Sequence, residues 1–197
     1  MITSLGQLDF EKRYTYAEHF QWKIEERTEL YKGKLHPLAT PGVLHQLVSG
    51  KILTQIMRYA EQYDYDVFAA PTDVHLMTSE AGDTVLQPDL FVVCDKEKQN
   101  KYCCVGAPDL TVEVLSPGNG KREMKDKFEL YEEAGVPEYW IFDPEHQAVL
   151  HFILSEKTGK YQAFPPLTSE DVLECKVLPG LRIELGKVFP EEEEVNS

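Results

Sequence analysis

The stretch GAPDLTVEVLSP, residues 106–117, reads as a strand with an anomaly inside it. Leu110, Val112 and Val114 alternate onto one face, and Asp109, Thr111, Glu113 and Leu115 onto the other. Carboxylates are depleted in strand interiors, so Glu113 needs a physical reason. A second case lies upstream. TVLQPDLFVV (84–93) reads as a strand with Asp89 in mid-run, between Pro88 and the apolar LFVV. Edge exposure or a local ion pair would account for either residue alone. If the two strands are neighbours, Asp89 and Glu113 converge and could hold a hard divalent cation through oxygen ligands.

Downstream, SPGNG interrupts the chain, and MKDKFELYEEAG (124–135) belongs to a helix expected over about 121–134, closed by Gly135. At about 100° per residue, Met124, Phe128, Leu130, Tyr131 and Ala134 share the arc that should face a core. Lys127 falls within that arc, while Lys125, Asp126, Glu129, Glu132 and Glu133 lie opposite. A long ammonium can snorkel from an apolar face. Because the helix starts a few residues after the Glu113 strand, it should fold back over the sheet and carry Lys127 toward the two carboxylates.

The rest of the chain fits a mixed sheet with helices against it, an α+β arrangement. A helix is expected over 15–27 with Thr15 as its cap, then a hairpin in TELYKGKLHPL turning at Lys32-Gly33. After Pro41-Gly42, the segment VLHQLVSGKILTQIMRYAEQY has helical spacing. Strands are expected at 66–70, 73–78, 138–143 and 148–154, the last two joined by the turn 144–147, with further β character in YQAF and VLECKV. The length of 197 residues suits one domain. Glu191 to Glu194 read as part of a disordered acidic tail, 191–197.

The net charge of −14 argues against a broad non-specific grip on nucleic acid, though not against a phosphodiester substrate met through a metal and a local basic cluster. Lys96, Lys98, Lys101, Lys121, Arg122 and Lys125 could form such a rim or simply a solvated surface. No apolar run approaches the roughly 18 residues that span a bilayer. The N-terminus lacks the layout of a signal peptide, and the four cysteines show no zinc or disulfide spacing, so a cytoplasmic protein with reduced thiols is expected. Ser116 sits in no GxSxG elbow. His45 is read as capping or packing, Asp109 as a turn residue, and Tyr131, Tyr139, Trp140 and Phe142 as core.

Taken in order, QPDLFVV, GAPDLTVEVLSP and DKFELYEEAGVPEYWIFDP, with weaker matches in TELYKGKL and LHQ, resemble the Uma-two endonuclease family. That family is a branch of the PD-(D/E)xK superfamily with the restriction-endonuclease-like fold, and the resemblance covers roughly residues 15–190. It implies Asp89 and Glu113 as metal-holding acids for Mg²⁺ or Mn²⁺. The lysine expected two positions after Glu113 is replaced by Leu115, and Lys127 resembles a relocated equivalent. Glu29 resembles an additional N-terminal acid, with Glu25 and Glu26 close by. The implied activity is metal-assisted hydrolysis of nucleic acid, DNA being favoured, by a homodimer. The alternative is an idle nuclease-like fold acting as an interaction or regulatory module.

Overall fold

Runs of β-branched and aromatic residues form the strands, and the turn residues between them sort the strands into separate sheets. The computed structural model describes residues 1–76, 82–116 and 121–190, with the backbone alone for 121–123. In chain order its first half contains α1 (Tyr16–His19), β1 (Thr28–Tyr31), β2 (Lys34–Pro37), α2 (Val43–Ala60), β3 (Asp66–Ala69), β4 (Asp73–Leu76), β5 (Thr84–Leu86) and β6 (Leu90–Val93). There follow β7 (Cys103–Val105), β8 (Leu110–Val114), α3 (Lys121–Ala134), β9 (Glu138–Asp143), β10 (Ala148–Leu154), β11 (Tyr161–Ala163), β12 (Leu167–Thr168), β13 (Val172–Glu174), β14 (Arg182–Glu184) and α4 (Leu185–Val188).

The central sheet has the order β11-β10-β9-β8-β6-β3, with β12 added beside β10. It is mixed: β6 runs antiparallel to β8, whereas β8 and β9 are parallel. A parallel pair needs a crossover, and α3 supplies it. Leu110, Val112 and Val114 lie on one face with Trp140 and Phe142, under Val48, Ile52 and Ile56 of α2. Those three α2 residues recur every fourth position and are fully buried, each worth about 1.5–3 kcal/mol of burial. On the other face Phe91, Val93, Tyr139 and Ile141 meet Leu130 and Tyr131 of α3, together with Val74 and Leu86 of a second sheet.

That second sheet, of order β2-β1-β5-β4-β7, and a two-stranded sheet of β13 and β14 stand beside the central one, where a single sheet is expected. The expected strand 84–93 divides at Gln87-Pro88-Asp89, its halves joining different sheets. Pro88 has no N–H for a ladder, and the Asp89 carboxylate accepts the Val114 amide instead. Asp89 therefore sits at a crossing between sheets, not inside a strand. The first helix is likewise shorter than expected, only Tyr16–His19, although Thr15 does form its capping box. After Trp22 the backbone leaves the helix, because Lys23 N–H donates to Ile2 O at 2.8 Å.

The hairpin turns at Lys32 and Gly33 with φ of 51° and 81°, the two left-handed residues of a type I′ turn. Gly135, at φ 83°, ends α3: Val136 N–H reaches Tyr131 O and Gly135 N–H reaches Glu132 O, a Schellman closure. The four cysteines are unpaired, and among the described residues no helix is long and apolar enough to cross a membrane. Residues 77–78, most of SPGNG and the acidic tail lie outside the described residues.

Candidate active site

The β6–β8 register pairs Leu90 with Val112. One step further, Asp89 falls opposite Glu113, at the end of the sheet where β6 begins. Val114 N–H donates to Asp89 Oδ2 at 2.8 Å, and His45 Nε2 lies 3.1 Å from the same oxygen. Asp89 Oδ1 accepts no hydrogen bond among the described residues. His45 stands in the first turn of α2, whose cap is Gly42, so the histidine pairs with Asp89 and does not cap the helix.

Lys127 points inward and is 7% exposed. Its ammonium lies 3.0 Å from Glu113 Oε1 and 3.1 Å from Glu29 Oε1. An ammonium has three donors; the third has no partner among the described residues. Tyr131, one helical turn beyond Lys127, donates to Glu113 Oε1 at 2.7 Å. Glu113 Oε2 accepts nothing among the described residues. Thus Asp89 and Glu113 each keep one oxygen open, while Glu29 has none to spare. Glu29 is fully buried on β1, Oε1 takes Gln87 N–H at 2.8 Å besides Lys127, and Oε2 takes the Tyr31 hydroxyl at 2.9 Å.

The electrostatics follow from crowding. Burial raises the Glu113 carboxyl to about 7, opposed by Lys127 and reinforced by the charges of Asp89 and Glu29. Burial alone would depress Lys127, but Glu113 and Glu29 outweigh it and hold the ammonium above its ordinary range. Three carboxylates thus share one lysine, and the cluster is short of positive charge. It opens into a cleft of about 490 Å³ lined by Arg27, His45, Gln87, Asp89, Glu113 and Lys127, with residues 37–42 along one wall.

Among the described residues no three His, Cys, Asp or Glu side chains form a metal cage. Two carboxylates with free oxygens beside a cleft nonetheless suit Mg²⁺ or Mn²⁺, since Mg²⁺ commonly keeps water and substrate oxygens and takes only one or two carboxylates.

The four acid and lysine positions singled out in the sequence therefore meet, with Glu29 behind Lys127. Of the six basic residues read as either a rim or a solvated surface, the four with described side chains form no rim to the cleft. Lys96 pairs with Asp64, Lys98 with Asp109, and Lys125 with Glu129, while Lys101 lies over the Tyr102 ring; none of these lines the cleft. The side chains of Lys121 and Arg122 lie outside the described residues. Asp109 does hold a turn, accepting the Cys94 amide at 2.8 Å. Arg27, Gln87, Tyr31 and Tyr131 were missed as site residues. The aromatic pair had a signal in its spacing, two residues from Glu29 and four from Lys127, but a buried tyrosine reads first as packing.

A mixed sheet crossed by one helix, with acids and a lysine meeting at its edge, is the restriction-endonuclease-like arrangement. A crystal structure described as a putative nuclease belonging to DUF820, from Anabaena variabilis, superposes with a TM-score of 0.67 over 84% of this chain and 90% of that one. At 18% sequence identity the likeness is one of fold. The Uma2 family model, described as "Putative restriction endonuclease", matches residues 16–186, and the chain belongs to this family. An uncharacterized protein of Synechocystis sp. is 23% identical over 116 residues, 58% of this chain and 60% of that protein.

Proposed function

We propose that the protein is a metal-dependent endonuclease that hydrolyses phosphodiester bonds of nucleic acid, DNA foremost. The observation that carries this reading is the Lys127 ammonium seated between Glu29 and Glu113 at 3.1 and 3.0 Å, in the wall of the cleft that Asp89 also lines. Asp89 Oδ1 and Glu113 Oε2 would hold Mg²⁺ or Mn²⁺, which when bound polarises a phosphate oxygen and makes a bound water more acidic. Lys127 stays cationic and offers its free hydrogen to the attacking water or to the negative charge that builds on the phosphoryl group. Glu29 acts through Lys127: with both oxygens engaged, it fixes the ammonium and does not serve as a metal ligand. His45 and the Val114 amide hold Asp89 Oδ2, so Oδ1 is the oxygen that would hold the metal.

The test is cleavage of plasmid DNA with Mg²⁺ or Mn²⁺ by the wild type and by Asp89→Asn, Glu113→Gln and Lys127→Met, alongside calorimetric Mn²⁺ titration. Cleavage and Mn²⁺ binding by the wild type, with cleavage lost in all three variants, is the expected result. Unchanged cleavage in all three would sink the assignment. An idle nuclease-like module would bind no Mn²⁺ and cut nothing.

A further inference from the structure

Lys127 in the candidate site, like Lys96, Lys98 and Lys125 away from it, is occupied by acids, as suits a chain carrying −14 net charge. Arg27 is different. It lies just before β1, lines the cleft, and its single side-chain hydrogen bond among the described residues runs from Nε to Gln87 Oε1 at 2.9 Å. Asp73 feels its charge, yet forms no ion pair with it. Among the described residues the two terminal amino groups of the guanidinium are therefore without partners, while Nε fixes the plane of the fork.

Gln87 is the reason the fork is fixed. Its side-chain amide donates to Asp73 Oδ1 at 2.9 Å, and its backbone N–H donates to Glu29 Oε1 at 2.8 Å. Glu29 in turn holds Lys127. One residue thus ties the guanidinium to the same carboxylate that seats the lysine, across the junction between the two sheets. A preoriented planar fork with open donors, half-buried in the wall of the cleft, matches the non-bridging oxygens of a phosphodiester bidentately, which a lysine cannot do. A surface arginine kept for solubility would have no need of a glutamine anchored at both its ends.

We propose that Arg27, oriented by Gln87, is a phosphodiester-binding residue of this cleft and grips a backbone phosphate of the nucleic acid while Asp89, Glu113 and Lys127 face the scissile one. The assignment rests on the nuclease reading but concerns binding, so it can fail separately.

The experiment is fluorescence anisotropy of a short labelled DNA duplex, and of its single strand, in Ca²⁺ and in metal-free buffer over a range of salt, for the wild type, Arg27→Gln and Arg27→Lys. Mn²⁺ calorimetry on the same proteins serves as control. Arg27→Gln is expected to weaken binding about tenfold or more, as loss of a charge-assisted hydrogen bond does. It should also lower the salt slope by about 0.9 on the duplex or about 0.7 on the single strand. Mn²⁺ affinity should be unchanged, and Arg27→Lys should recover the slope but only part of the affinity. In the wild type, bound DNA should protect Arg27 from phenylglyoxal, a readout that needs no substitution. If the wild type binds DNA while Arg27→Gln matches it in affinity and slope, or DNA leaves Arg27 unprotected, the phosphate grip is overturned and the nuclease reading stands. If the wild type binds neither probe under any condition, both fall together.

Discussion

Two buried glutamates on neighbouring strands of one sheet, Glu113 on β8 and Glu138 on β9, are built to opposite ends. Glu138 is fully buried and saturated: Oε1 accepts from Trp140 Nε1 and His151 Nε2 at 2.8 and 2.7 Å, and Oε2 from Cys175 Sγ and the amides of Lys176 and Val177. Burial works against its charge, but the hydrogen bonds from His151, Val177 and Trp140 outweigh it and hold the carboxyl below its ordinary value. Among the described residues Glu113 has two donors on one oxygen and none on the other, beside two further carboxylates, and is pushed the other way. A carboxylate surrounded by donors is a clamp, here tying the 175–177 segment to the sheet. One left half-satisfied at the mouth of a cleft can take a ligand.

The two glutamates differ most in their dependence on the lysine. Lys127→Met should reduce metal-dependent cleavage by roughly a thousandfold, the scale of losing one preorganised charge stabiliser. It also leaves Glu29 and Glu113 buried without their cation, at about 3 kcal/mol of stability. Urea melts should therefore show part of that loss recovered in Lys127→Met combined with Glu113→Gln, because the second change removes the stranded charge. The burial of both partners is why Gln and Met, and not Ala, are the informative replacements.

Glu138→Gln should behave conversely. About 3 kcal/mol of stability is expected to go with the clamp, while Mn²⁺ affinity and cleavage per folded molecule stay at wild-type values. A fall in Mn²⁺ affinity to match would erase the distinction between the two sites.

A pH series sharpens the same point. Because the folded Glu138 carboxyl lies below its ordinary value near 4.5, its contribution is present above that pH and is lost as pH falls through the lower folded value. Melts of Glu138→Gln should accordingly show a shallower acid limb than the wild type, and parallel limbs would contradict the saturated clamp. The smallest effect is expected at the end of α3: Gly135→Ala places a Cβ at φ 83° and should lower stability by about 1 kcal/mol.

Local signals in the sequence were enough for much of this. The turn at Lys32-Gly33, the α2 and α3 helices, the alternation in β8 and the inward placement of Lys127 all depend on near neighbours, through chirality, helical period or strand period. Asp89, Glu113 and Lys127 stood out because each carries charge where its own element should be apolar. Arg27 and Gln87 violate no local pattern, and neither does the overlong first helix, whereas Pro88, unable to donate to a ladder, is a local sign against one unbroken strand. Their outcomes turn on contacts distant in the chain, such as Lys23 with Ile2 and Asp89 with Val114.

Period and propensity act within a few residues, so α2, α3, the hairpin turn and the three anomalous charges are legible in the chain alone, whereas the end of α1 and the exchange of sheets at 87–89 are not. Contacts between distant segments settle that 84–93 is shared by two sheets, that Glu29 closes behind Lys127, and that one oxygen each of Asp89 and Glu113 stays open among the described residues. The physical reason is that hydrogen-bond satisfaction is counted atom by atom in a shared space. Which oxygens are taken and which are left depends on every strand and helix that reaches the site.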